Sequence, residues 1–376
     1  MKKVILFASV VLMVLLILTE SVYTQGIDPN VFEQKFLEAR KMLEKDRVFF
    51  EIVGKGKSSR IVSREILLIA YSLKNGHLIP IKLEVVVPKS LSDGSFKFKV
   101  KDTGVSTVSN FDVKRIAGFG VTRLEFSIYD KQNHESLIVW DSRHLHLENK
   151  RTSPRDLFYA PYSDFFQDEY FTKKGLVIYR AIIEESRREL CKTGAKSKAY
   201  PQKLLCEVFS DETIMALGTI EQMDDGEFFN NSRYAIKKFL AHIARNGEKA
   251  FYYSISSDGA RGLMQFMNSK KIRTYDLVRG KYPEVGLIAD FESGTANMKN
   301  SIKSAVCLAD TNFAQMSKEK RNEEAAIVAH NGGLGRALNF LQGKRIPKET
   351  QNFIKKYRET RKILEEFEKS FVQERR

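Results

Sequence analysis

Cysteine is scarce in this chain. There are three among 376 residues, and no two stand at C-x-x-C spacing. That excludes a zinc framework, whose ligands come in closely spaced couples. No cysteine follows the apolar run near the N-terminus, which argues against a lipid-modified anchor there. The chain has no internal repeat and no low-complexity run. Acidic residues are in deficit, 47 against 62 Lys+Arg, for a formal net charge of +15. A basic surface favours a polyanion: nucleic acid, an anionic membrane face or an acidic cell-wall polymer. With 43% hydrophobic and 29% charged residues, the length suits two domains.

The first residues narrow that choice. Lys2 and Lys3 precede the apolar run Val4–Leu18, and the chain turns polar at Thr19 and Glu20. The run is shorter than the roughly twenty residues that span a bilayer comfortably. The pattern predicts a secretory signal over 1–25, cut near Ser21–Gln25. Because the site is not a clean A-x-A, an uncleaved signal anchor is the rival reading. Either way the chain is expected to be exported, to the periplasm or cell envelope, and nucleic acid becomes a poor partner. Cys191 and Cys206 flank a polar loop, and a disulfide or two buried thiols both stay open. Cys307, in an apolar helical stretch, reads as core.

The periodicity divides the rest. Over Asp28–Lys45, the residues Phe32, Phe36, Ala39 and Leu43 form one helical stripe, with Asp28 as a cap and Pro29 at the first helical position. From Arg47 to about Leu147 the period becomes two, as in Phe96–Lys101 and Arg123–Tyr129, with turn signals at Asn75-Gly76 and Asp93-Gly94. This predicts a small antiparallel β-domain within 26–147, a sandwich or barrel, whose role its residues do not state; a protein partner through it stays open. His144 and His146 share a strand face and could hold a metal. Without a third ligand candidate nearby, a solvated strand end is the expectation. Residues 148–156 are polar, carry Pro154 and read as a linker. A helical domain is expected over 157–345. A C-terminal helix follows over 346–376, packed on the domain through Phe353, Tyr357, Leu364, Phe367 and Phe371. The fold class is α+β, a β-rich region followed by a mostly helical one.

Three stretches carry chemistry. In "SSDGARGLMQFMNS" (Ser256–Ser269), Gly259 and Gly262 permit positive φ and close backbone approach. Gln265, between Met264 and Phe266, offers a donor and an acceptor in an apolar wall, which suits a neutral ligand rich in hydroxyls and amides. Glu221 follows Ile214, Leu217 and Ile220 at the end of an apolar helix face. Desolvation there raises a carboxyl pKa and keeps the proton available for a glycosidic oxygen. In Ala325–Leu341 an apolar helix is interrupted by Asn331, Gly332 and Gly333.

In this order the three stretches resemble the soluble-type lytic transglycosylases, which have a goose-lysozyme-like fold. That family carries a glutamate ending a helix, then G-A-x-G-L-M-Q, then A-Y-N-x-G. Gly259 to Gln265 match the second in full; Ala329 to Gly333 match the third with His330 in the tyrosine position. The likeness covers about Leu205 to Leu341. Gln222 stands where the family usually has serine. The gap from Glu221 to Gly262 is longer than usual, as if a helix were inserted. Glu248 has closer to the usual spacing and is the alternative catalytic residue, but its polar surroundings favour Glu221.

The resemblance implies cleavage of the MurNAc-GlcNAc β-1,4 bond of peptidoglycan strands to a 1,6-anhydro product, with Glu221 as acid and then base and no metal or cofactor. It implies a groove lined by Gln265, Met264, Asn331 and His330. Ser254, Ser256 and Ser257 are candidates for a hydroxyl contact, whereas Tyr275 and Arg261 read as structural. Asp224 and Asp225 keep a hydrolytic muramidase open, although they also suit a cap on the next segment. The changes at Gln222 and His330 keep open a peptidoglycan-binding module without turnover. Anionic wall polymers or a membrane surface are further partners suggested by the charge.

Overall fold

The computed structural model describes residues 29–46, 48–54, 60–86, 97–102, 110–117, 125–146, 155–256, 258–269 and 273–373. The leader, Asp28, Asp93-Gly94, Ser257 and most of the expected linker lie outside them, as do the side chains of His146 and Phe371. Among the described residues no helix is long and apolar enough to cross a membrane. The chain divides into two compact units, Met1–Lys114 with Ser127–Phe158, and Arg115–Phe126 with Tyr159–Arg376. The expected β-rich region thus gives residues 115–126 to the second unit.

The β-region is one antiparallel sheet curled into half a barrel. Its strands are β1 (Phe50–Val53), β2 (Arg60–Tyr71), β3 (Leu78–Val86), β4 (Lys97–Asp102), β5 (Phe111–Ala117), β6 (Glu125–Asp130), β7 (Glu135–His146) and β8 (Arg155–Phe158). They run in the order β4-β3-β2-β7-β6-β5, with β1 on β2 and β8 on β7. Neither a closed barrel nor a second facing sheet occurs among the described residues. In β6 the alternation is plain: Phe126, Ile128 and Asp130 are buried, Ser127 and Tyr129 exposed. Helix α1 (Pro29–Lys45) lies against β7, β2 and β3. It buries Phe32, Ala39 and Leu43, and the Phe32 ring meets Trp140 at 4.9 Å. His144 corrects an expectation. It is buried at the middle of the sheet, with Nε2 2.8 Å from Ser142 Oγ, and is not a solvated strand end. The reason is that β2 and β8 flank this part of β7 on both sides.

The second unit is helical around one apolar core. Its long central helix, α2 (Glu169–Lys192), starts at Asp168, whose side chain accepts from the Phe171 amide. It crosses α5 (Ser232–Asn246) at Gly175, where an added Cβ would sit 2.0 Å from the Leu240 carbonyl oxygen. Cys191 and Cys206 are bridged, with Cα atoms 5.3 Å apart, and Cys307 is a buried thiol. Helix α3 (Asp211–Glu221) is capped by Ser210 and buries every residue from Thr213 to Ile220. The remaining helices are α4 (Asp225–Asn230), α6 (Thr274–Lys281), α7 (Phe291–Ala296), α8 (Met298–Ala314), α9 (Glu323–Leu341) and α10 (Lys348–Gln373). The expected inserted helix is α5. Helix α10 folds back along α3 and α9 and buries Phe353, Tyr357, Leu364 and Phe367.

Candidate active site

Helix α3 fixes Glu221 because every residue from Thr213 to Ile220 is buried, so the helix that carries it is held in the core. The Glu221 side chain is 14% exposed. Burial pushes its carboxyl up from 4.5 to about 8, against the pull of the Lys356 ammonium, while the Glu349 carboxylate adds to the rise. At neutral pH the group therefore keeps its proton. Its position at the C-terminal, electronegative end of α3 disfavours the anion in the same sense.

His330, on α9, reaches the same point. Its Nε2 lies 3.4 Å from Glu221 Oε1 and 3.2 Å from the Met264 carbonyl oxygen. A carbonyl can only accept, so Nε2 carries the hydrogen, and the tautomer is assigned from that contact. Burial pulls His330 down from 6.5 to about 4, against the Met264 carbonyl, so the imidazole is neutral. The pair is therefore a neutral acid beside a neutral imidazole, not an ion pair. Nδ1 of His330 is buried without a hydrogen-bond partner among the described residues.

The glycine turn is joined to α3 by Gln222. Its Nε2 donates to the carbonyls of Gly262 and Leu263, both at 2.9 Å, and its Oε1 accepts from Ser254 Oγ at 2.8 Å. Gln265, held at φ 47, donates from Nε2 to the Gly262 carbonyl at 2.7 Å and to Ser254 Oγ at 3.3 Å. Gly262 has φ +70, and an added Cβ would sit 1.7 Å from the Thr295 carbonyl oxygen. The close approach that its sequence predicts is thus made to the protein's own α7.

Several expected roles change. Met264 is fully buried, so its side chain cannot line a groove; its carbonyl positions His330 instead. Ser254 is buried and spent on Gln222 and Gln265, and Ser256 accepts from the Ala260 amide within the turn. Glu248 is 51% exposed and pairs with Lys299 at 3.3 Å. Asp224 caps α4. Asp225 pairs with Lys356 at 2.7 Å and accepts from Asn352; burial raises it, but these partners outweigh that and hold it below its usual range. Tyr275 donates to the Ile288 carbonyl and Arg261 pairs with Glu292. Asn331 Oδ1 accepts from Thr350 Oγ1 at 3.0 Å, leaving its amide hydrogens for other partners.

Glu221 and His330 meet directly, Gln265 joins Gln222 through Ser254, and Asn331 is held by Thr350 of α10; Thr350 and Lys356 are residues the sequence did not single out. Gln222 was visible only as a departure from the motif. Thr350 and Lys356 lie on α10 with no local signal. A wide cleft of about 930 Å3 opens elsewhere, between α9 and α10, lined by Glu323, Glu324, Tyr357, Arg358 and Arg361. In it Glu324 pairs with Arg358 and Glu323 with Arg361, and both carboxyls lie below their usual range, unlike Glu221. No protein family, curated protein or solved structure matches the chain.

Proposed function

We propose that the helical unit is a lysozyme-like lytic transglycosylase that cleaves peptidoglycan strands in the cell envelope, with Glu221 as its single acid and base. The observation that carries this reading is the Glu221 carboxyl, protonated at neutral pH and only 14% exposed, beside a neutral His330. Such a group can give its proton to the glycosidic oxygen as the bond from the MurNAc anomeric carbon to that oxygen breaks. The substrate's N-acetyl group supports the electron-poor carbon. The Glu221 carboxylate then takes the proton of the muramyl 6-hydroxyl, whose oxygen closes on the anomeric carbon. The product is a 1,6-anhydro sugar, and Glu221 ends protonated as it began. Asn331 and Gln265 offer amide groups to the acetamido and hydroxyl groups of the glycan.

Hydrolysis would need a second carboxylate or a held water. Asp224 caps a helix and Asp225 is tied to Lys356, which favours the intramolecular hydroxyl as the attacking group. A wall-binding module without turnover rests on Gln222 and His330. In this chain those two side chains hold the glycine turn and approach Glu221, roles that serve catalysis as well as binding. The basic charge suits anionic wall polymers.

The test is digestion of purified sacculi, with released fragments weighed by mass spectrometry. The expected products are one water lighter than reducing muropeptides, and Glu221→Gln releases none while still binding. Reducing ends would instead make the enzyme a muramidase. Binding without any release would leave only the module.

A further inference from the structure

Burial serves only half of the cycle proposed for Glu221. It keeps the proton on before the bond breaks, but it penalises the carboxylate that remains afterwards. A fixed cation close by would limit that penalty, and one comes from outside the motif-bearing segment. Lys356, on the third turn of α10, is almost wholly buried. Its Nζ donates to the Met223 carbonyl at 3.0 Å, two residues beyond Glu221, and lies 2.7 Å from Asp225 Oδ1. Asp225 is steadied by Asn352 at 2.9 Å. An ammonium so deeply buried is costly unless paired. Here it sits at the electronegative end of α3, where a cation offsets the helix dipole. The other groups facing Glu221 are His330 of α9, which is neutral, and Glu349 of α10.

We infer that Lys356 is a positioning residue of the Glu221 site, a buried cation that makes the glutamate anion tolerable and whose strength is set by its pairing with Asp225. This rests on the function proposed above, but its first readout does not. The carboxyl of Glu221 can be titrated by carbon NMR in the full chain, with Glu221→Gln to assign the signal. Lys356→Met should raise its midpoint by about one unit or more, since it removes the opposite charge. Asp225→Asn should lower it, since the ammonium is then less neutralised. Lys356→Arg, which keeps the charge, should stay near the native value.

A purely structural clasp predicts no opposition between the first two variants. Equal shifts in one direction, or no movement in either, would overturn the inference. If Lys356→Met does not fold, Asp225→Asn against Lys356→Arg still decides, because the required fall in the Asp225 variant remains measurable. The alkaline limb of sacculus digestion should follow the same directions, upward for Lys356→Met and downward for Asp225→Asn. A native chain that titrates as described yet releases no muropeptide would sink the enzymatic reading alone.

Discussion

Replacing Glu221 by glutamine should strengthen the protein while silencing it. The carboxyl moves from 4.5 in its ordinary state to about 8 in the folded chain. Its folded value is raised, so its contribution to stability is complete below about pH 4.5, falls as the pH climbs towards 8, and then levels off. Across that window the unfolded chain releases a proton that the folded one must keep. At about 1.4 kcal/mol per pH unit, the mismatch reaches about 3 kcal/mol at pH 7. Glutamine has nearly the same shape, carries no charge at any pH, and its carbonyl can accept from His330 Nε2. Urea or thermal unfolding of both proteins from pH 4 to pH 9 would therefore show curves that coincide at the acid end and separate steadily. His330 changes in the opposite sense. Its folded value is depressed to about 4, so stability is lost as the pH falls from about 6.5 towards 4. Both proteins carry it, and it cancels in the comparison. A gap that does not vary with pH, or a glutamine variant weaker at pH 8, would refute the claim that a protonated acid is stored there. A protein that gains stability on losing its reactive group is the expected signature of a strained site.

Two further outcomes follow from the architecture. Gly262→Ala places a Cβ 1.7 Å from the Thr295 carbonyl oxygen at φ +70; it should cost about 3 kcal/mol or more, read as a fall in the urea midpoint, and a loss under about 1 kcal/mol would mean the turn can shift. Opening the Cys191–Cys206 bridge, which spans 15 residues, by a double alanine substitution should cost about 3 kcal/mol, seen as a melting temperature that no longer responds to reductant.

Periodicity made much of this legible. The apolar face running through Ile214, Leu217 and Ile220 announced α3, and Glu221 follows directly on that face, where the structure half-buries it. The stripe of α10 and the alternation of β6 were equally plain. The misreadings share a cause. Met264 stands beside Gln265 in a motif string, yet its side chain is core, since a tight turn sends neighbouring residues in opposite directions and a string does not say which. His144 looked solvated because a strand end in sequence need not be a sheet edge in space. Lys356 was invisible for a different reason: a lysine on an amphipathic helix is ordinarily a surface residue, and only the folded return of α10 to the end of α3 buries it.

That return also decides what can be cut away. Tyr357 meets Thr213 at 3.3 Å and, with Arg361, engages Glu323, so the last long helix is stitched to the two helices bearing Glu221 and His330. A fragment trimmed after residue 345, beyond the last motif at Gly333, would leave the flank of α3 wet and its glutamate without a counter-charge. The smallest portion able to stand alone therefore extends some forty residues past its last signature, to the end of α10 at Gln373.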